Sequence, residues 1–133
     1  MSHSPAEVRH AVENLLGRYA EYAEYADERD AAGVAELFSD AVVSFAGTTL
    51  GTADEISGHY GRIFAAAPPS RHVLTNIIVD RAGSTATARC RYSRWAIEPD
   101  AKLLALGDYR ATFAGAEGAW KFISFEVSRA WQA

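Results

Sequence analysis

The sequence predicts an α+β protein in which three N-terminal helices cover the concave face of a curved antiparallel sheet. Two observations predict this class. The N-terminal half carries apolar residues at helical spacing, whereas the C-terminal half consists of long β-prone segments separated by short turn signals. The 133 residues suffice for one hydrophobic core, and we expect a single domain over residues 1–133.

The first helix is predicted over residues 5–28, because its apolar side chains fall on one face at about 100° per residue. Ser4 can cap this helix, and Pro5 suits its first turn. The apolar face consists of Val8, Val12, Leu15, Leu16, Tyr19, Ala23 and Ala26.

Two shorter helices are predicted to follow. Asp30 can N-cap a helix that runs through Phe38. Residues 52–55 (Thr-Ala-Asp-Glu) have the spacing of a capping box and begin a third helix, which ends before Pro68-Pro69. The apolar positions of this third helix are Ile56, Tyr60, Ile63 and Phe64.

The predicted strands begin with residues 41–46, which are apolar and β-prone. Gly47 and Gly51 follow and are interpreted as residues that interrupt regular structure. Four longer strands are predicted at 71–80, 84–98, 102–114 and 119–131. Their turns are expected at Ala82-Gly83, at Pro99-Asp100 and between Gly115 and Gly118.

Composition excludes several classes of partner and site. A net charge of −4 gives no basic surface for nucleic acid or an anionic membrane. One cysteine, Cys90, excludes an internal disulfide and multi-cysteine zinc clusters, and we expect it to be a small buried hydrophobe. The start of the chain lacks a secretory pattern and no stretch reaches the length of a membrane span, so we expect a cytoplasmic protein.

Asp27 is the acidic residue of the first helix that lies at an edge of its apolar face, and Tyr22 lies at the opposite edge. A carboxylate directed at a core costs free energy unless it is paired, hydrogen-bonded or protonated. Asp27 is therefore a candidate catalytic acid. It could equally cap the following helix or pair with an arginine.

His72, early in the first long strand, is a candidate general base, because histidine exchanges protons near neutral pH. Two-residue alternation predicts that His72 shares a face with Leu74, Asn76 and Ile78. A carboxylate such as Asp27 could fix the histidine tautomer and raise its basicity. The structural alternative is a hydrogen-bonded histidine at the core or rim.

The aromatic residues supply candidate ligand contacts. Tyr22 is either core filler or a donor to a carbonyl oxygen. Tyr109 shares a strand face with small residues that leave room for a ligand or for a helix. Tyr60, Phe45 and Trp95 are candidates to line the same ligand cavity, and each could instead pack in the core.

The familiar cofactor and metal motifs are missing from the sequence. There is no nucleophile elbow, phosphate-binding loop or dinucleotide fingerprint. His59 could join His72 and Asp27 as a metal ligand, but no compact ligand spacing supports such a site. We expect neither a metal nor a cofactor.

Five segments resemble SnoaL-like proteins, in the right order along nearly the whole chain. These proteins belong to the superfamily of cone-shaped α+β barrels with a cystatin-like fold, which includes nuclear transport factor, scytalone dehydratase, bile acid 7α-dehydratase and ketosteroid isomerase. The matching segments are Tyr22-Ala-Glu-Tyr-Ala-Asp27-Glu-Arg-Asp30, Leu37-Phe38-Ser-Asp40-Ala, Arg71-His72-x-x-x-Asn76, Gly107-x-Tyr109 and Gly118-x-Trp120.

The resemblance implies a site built on Asp27 and His72, since dehydratases of this superfamily use a helix aspartate and a strand histidine. Tyr22 stands five residues before Asp27, as a catalytic tyrosine does in the bile acid enzyme. The match to scytalone dehydratase is partial, because Ala26, Phe45 and the Arg94-Trp95 region stand where that enzyme has tyrosine, tyrosine and histidine.

The resulting hypothesis is a cofactor-independent lyase or isomerase that acts on a small, mostly apolar, oxygenated ring compound resembling a polyketide or steroid. His72 would be the base, Asp27 its orienting acid, and Tyr22 or Tyr109 the donor to the enolate oxygen. One alternative is a non-catalytic binding or assembly domain. Another is a polyketide cyclase with Glu126 as its acid. We also expect a homodimer through a sheet face that exposes Ile123, Phe125 and Val127.

Overall fold

The first helix of the computed structural model, α1 (Pro5–Tyr22), begins with the predicted cap. The structure describes residues 4–23, 30–116 and 119–133. The Ser4 hydroxyl accepts a hydrogen bond from the backbone N–H of Glu7, whose carboxylate returns to the Ser4 N–H. At the other end, the Asp30 N–H donates to the Tyr22 carbonyl at 3.1 Å, and residues 24–28 of the predicted helix lie outside the described residues.

The other two helices follow the prediction closely. Helix α2 (Ala31–Leu37) is capped by Asp30, whose Oδ1 accepts from the Gly33 N–H at 2.9 Å. Helix α3 (Ala53–Ala66) is capped by Thr52, whose hydroxyl accepts from the Glu55 N–H at 3.2 Å.

The strands form one unclosed six-stranded sheet in the order β2-β1-β6-β5-β4-β3. All neighbouring strands are antiparallel except β1 and β6, which run parallel. The four long strands β3 to β6 are antiparallel, as predicted, whereas the short β1 runs parallel to β6, because β1 and β6 are far apart in the chain and no hairpin fixes their direction. The strands are β1 (Val42–Phe45), β2 (Thr48–Leu50), β3 (Ser70–Ala82), β4 (Thr85–Ala96), β5 (Lys102–Ala116) and β6 (Ala119–Gln132).

Strand β2 was not predicted, because Gly47 and Gly51 were interpreted as residues that interrupt regular structure. Ala46 and Gly47 have φ of 50° and 90°, and this left-handed turn folds β2 back on β1. The remaining predicted strands lie within a few residues of their observed bounds.

A bulge in β3 corrects the predicted face of two residues. The register shifts between Thr75 and Ile78, and Asn76 has a left-handed φ of 55°. Before the bulge His72 and Leu74 face inward, whereas after it Ile77 and Val79 do. The assignment of Asn76 and Ile78 to the His72 face was therefore wrong, because one extra residue reverses the alternation.

A second bulge corrects the expected exposed apolar patch. Phe113 pairs with Phe122 and Thr112 pairs with Ser124, so Ile123 is the extra residue in β6. Ile123 is 40% exposed, but Phe125 and Val127 are buried in the core. The three residues do not share a face, and the homodimer through the sheet face stays a prediction.

The core lies between the helices and the inner face of β3 to β6, where apolar side chains alternate with exposed polar ones. Val12, Val34, Val43 and Phe113 are fully buried in it. No helix in the described ranges is long and apolar enough to cross a membrane.

Candidate functional site

A cavity of about 50 Å³ opens on the inner face of the sheet, between the end of α1, the end of α3 and strands β3 to β6. Its wall is mostly apolar and aromatic, with a few polar groups, as is typical of ligand sites. The described residues that line it are Tyr19, Ala23, Phe45, Tyr60, Ile63, Phe64, Ala67, Pro68, Ser70, His72, Tyr92, Arg94, Tyr109 and Val127.

Three buried tyrosines line this cavity together. The hydroxyl oxygens of Tyr19 and Tyr60 are 3.0 Å apart. The ring of Tyr109 packs edge to face on the ring of Tyr19, with centroids 5.4 Å apart. Burial raises the pKa of all three hydroxyls, so they remain protonated at neutral pH. We call Tyr19, Tyr60 and Tyr109 the tyrosine cluster.

Tyr92 extends the aromatic wall from the tyrosine cluster toward His72. Its ring stacks on Tyr109 with centroids 4.6 Å apart and lies 6.2 Å from the imidazole of His72. Gly107, the β5 partner of Tyr92, makes room for this ring: a Cβ there would lie 2.6 Å from Tyr92 Cζ and would also meet the Ser128 carbonyl. The glycine therefore allows the stack to form.

His72 lies half-buried on β3 in the cavity wall. Its Nδ1 is buried and has no hydrogen-bond partner among the described residues. Burial, and then the nearby Arg94, lower the pKa of His72 from 6.5 to about 4. The imidazole is consequently neutral at pH 7 and able to accept a proton, although these surroundings disfavour its charged form.

Arg94 brings a positive charge to the same wall. It is the register partner of His72 on β4 and is itself half-buried. Burial and the positive charge of Arg129 lower the pKa of Arg94. Arg94 is the one charged side chain among the described residues that line the cavity.

Four of the candidate residues lie in this cavity, namely His72, Tyr109, Tyr60 and Phe45. Asp27 lies outside the described residues. Its distance from His72, and with it the proposed metal triad with His59, is therefore not described by the structure.

Three other candidates lie elsewhere. Tyr22 lines a separate surface groove with Leu15 and Arg18, since these positions share one helix face. Asn76 is exposed at the β3 bulge. Trp95 is 37% exposed, and its indole N–H donates to the Ser93 hydroxyl at 2.9 Å.

Glu126, the acid considered for a cyclase, also lies outside the cavity. It is exposed on the outer face of the sheet, where its register partner on β5 is Arg110. Its backbone neighbours Phe125 and Val127 point into the core, so alternation directs Glu126 outward.

Sequence reasoning missed Tyr19, Tyr92 and Arg94 as site residues. Tyr19 was recognised as an apolar-face residue, but the pattern could not show that its hydroxyl meets that of Tyr60. Tyr92 and Arg94 are two residues apart on β4 and therefore share a strand face. The pairing of Arg94 with His72 across β3 and β4 could identify Arg94 as a site residue only once the strand register was known.

Comparison with protein families identifies residues 4–126 as a SnoaL-like domain. The chain belongs to the SnoaL-like domain family. This confirms the resemblance drawn from the five sequence segments. Comparison with curated proteins gave no significant match.

Solved structures with a similar fold agree with this family. A protein of unknown function with a cystatin-like fold from Nostoc punctiforme is 14% identical with a TM-score of 0.83, over 97% of this chain and 95% of that one. A proposed dehydratase of the NTF2-like family from Streptomyces avermitilis is 18% identical with a TM-score of 0.78, over 96% and 99% of the two chains. A proposed scytalone dehydratase from Novosphingobium aromaticivorans is 21% identical with a TM-score of 0.76, over 95% and 86%.

These similarities establish the predicted fold class, and at such low identities they establish the fold alone. The SnoaL-like chain thus combines a cystatin-like α+β fold with a cavity that contains a histidine, an arginine and the tyrosine cluster.

Proposed function

We propose that this SnoaL-like protein is a cofactor-independent lyase or isomerase that performs general acid–base chemistry on a small, mostly apolar, oxygenated ring compound. The observation that supports this most is the position of His72. A neutral imidazole, with a buried nitrogen unpartnered among the described residues, lines the same cavity as three protonated tyrosine hydroxyls.

The proposed first step is removal of a proton from the carbon next to a substrate carbonyl. His72 takes the proton, and the electron pair of the broken C–H bond moves toward the carbonyl oxygen to form an enolate. A buried nitrogen without a hydrogen bond costs roughly 1–3 kcal/mol, so a ligand that supplies a proton to it is favoured. For a lyase, the imidazolium then protonates a β-hydroxyl group, which leaves as water. For an isomerase, it returns the proton to another carbon.

The tyrosine cluster is suited to stabilise the enolate oxygen. When Tyr60 donates to the Tyr19 oxygen, the Tyr19 hydroxyl retains its own proton for a further partner. In this arrangement Tyr19 replaces Tyr22, which lies in a separate groove, as the donor to the substrate. Preorganised donors of this kind contribute about 10²–10³ in rate.

The size of the cavity adds a requirement for substrate entry. About 50 Å³ accommodates a few water molecules but not a ring. Binding of a ring compound therefore requires the cavity to widen.

A proton-exchange assay with model ketones tests this function. A panel of cyclic ketones, with and without β-hydroxyl groups, is incubated in D₂O, and NMR follows deuterium uptake next to the carbonyl and enone formation. We expect the wild type to catalyse exchange or dehydration on at least one ketone. His72→Gln should reduce the rate by about 10²–10⁴, and Tyr19→Phe by about 10²–10³.

The matched control is His10→Gln, because His10 is exposed on α1, where it hydrogen-bonds to Asn14 far from the cavity wall. It should retain the wild-type rate. Full activity in His72→Gln would refute the proposed base, and inactivity of the wild type on the whole panel would favour a non-catalytic binding domain.

Asp27 as the orienting acid stays a prediction. Asp27→Asn should abolish turnover while the circular dichroism spectrum and the unfolding temperature stay close to those of the wild type. Unchanged turnover in Asp27→Asn would remove Asp27 from the mechanism without affecting the role of His72.

A further inference from the structure

Arg94 stands out in the cavity because the described residues supply no acidic partner for it. The ion pairs formed among them join Arg9 to Glu13 and Lys121 to Asp40, and neither includes Arg94. Among the described residues, the charge that acts on Arg94 most strongly is the positive charge of Arg129. A half-buried cation near a second cation, in a mostly apolar and aromatic wall, is electrostatically suited to an anion.

The register of the sheet places this positive charge beside the proposed base. His72 and Arg94 are direct partners across β3 and β4 and both line the cavity. Directly opposed Cβ atoms in such a pair lie about 4.5–5.5 Å apart. An anionic group bound by Arg94 would therefore hold the neighbouring carbon atoms of the same ligand close to His72.

We propose that the ligand of this cavity carries a carboxylate, which Arg94 binds, and that its apolar part lies against the aromatic wall. The planar guanidinium fork of Arg94 can donate two parallel hydrogen bonds to a carboxylate, which a lysine or a tyrosine cannot do. The apolar part of the ligand would contact Phe45, Ile63 and Phe64. The proposal narrows the substrate class to ring compounds that carry a carboxylate. It rests on the proposed function only in assuming that this cavity is the substrate site.

Binding without turnover tests the proposal. Benzoate is compared with benzamide, and the smaller propionate with propionamide, because each pair differs in charge but hardly in shape. Affinity is measured from NMR shifts of the His72 and Tyr109 ring signals. We expect the wild type to prefer each carboxylate over its amide by about 10–100-fold.

Variants assign the preference to a residue. Arg94→Gln should lose it, whereas Arg91→Gln should retain it, since Arg91 lies three positions earlier on the exposed face of the same strand. His72→Gln should lose turnover but keep the carboxylate preference, measured on the Tyr109 signal. Failure of catalysis is thereby distinguished from failure of anion binding.

Two results would overturn the proposal. The first is a wild type that binds neither carboxylate, or that binds carboxylate and amide equally. If the preference then appeared in Asp27→Asn, the cause would be that Asp27 occupies the guanidinium of Arg94 in the wild type. The second is an unchanged preference in Arg94→Gln.

Discussion

Lowering the pH from about 7 to about 5 should destabilise the protein through His72. In the unfolded chain the imidazole has its ordinary pKa of 6.5, whereas burial and Arg94 lower the pKa in the folded protein to about 4. Between these values the unfolded chain binds a proton that the folded protein does not bind. The free energy of unfolding therefore falls as the pH falls through this window and levels off below the folded pKa.

The size of this effect follows from the two pKa values. For a fully buried group the linkage relation gives a loss of about 2 kcal/mol between pH 7 and pH 5. His72 is half-buried, so we reduce this figure for solvent screening to about 1–2 kcal/mol. For a chain of 133 residues this corresponds to a fall in unfolding temperature of about 4–7 °C.

Urea unfolding of the wild type and of His72→Gln at the two pH values measures the effect. The wild type should lose more stability than His72→Gln on acidification, and the difference isolates the contribution of His72. His10→Gln is the control, because it removes an exposed histidine on α1 that does not line the cavity. An NMR titration of the His72 ring gives its pKa directly.

The reasoning would be refuted if the wild type and His72→Gln responded equally to pH. It would also be refuted by a measured His72 pKa at or above 6.5. That second result would mean that a carboxylate, with Asp27 as the sequence candidate, outweighs burial and Arg94 in setting the pKa.

Three further substitutions or treatments test particular packing features. Gly107→Ala should lower the free energy of unfolding by about 1–3 kcal/mol, because the added Cβ would clash with Tyr92. Gly17→Ala is the control and should not lower it, because a Cβ at Gly17 meets no atom within 4 Å. Equal urea midpoints for the two variants would contradict this prediction. Thr52→Ala should cost about 1 kcal/mol by removing the cap of α3 and Thr52→Ser should restore it, so an unchanged stability of Thr52→Ala would exclude the cap. Burial raises the pKa of Cys90 to about 11, so iodoacetamide at pH 8 should modify the thiol only after unfolding, and rapid labelling of the folded protein, followed by mass spectrometry, would disprove its burial.

The parts of the fold that the sequence predicted well are those governed by local interactions. The capped starts of all three helices depend on side chains within a few residues, such as Ser4, Asp30 and Thr52. The long strands follow from alternation and turn signals that are equally local. None of these features depends on a distant contact.

The errors share a non-local cause. Single extra residues at Asn76 and Ile123 reverse the inward and outward faces of the following strand segments, and a bulge depends on the partner strand as much as on its own sequence. The parallel pairing of β1 with β6 likewise joins segments that are distant in the chain. Neither feature leaves a local pattern.

By itself the sequence determined the fold class, the family resemblance and the candidacy of His72, Tyr60 and Tyr109, because periodicity and residue chemistry are properties of the chain. Only the tertiary structure decided that Tyr19 joins those tyrosines and that Arg94 lies beside His72. The physical reason is that a site depends on which side chains converge. Helix packing and strand register set that convergence, and both are fixed by contacts between residues far apart in sequence.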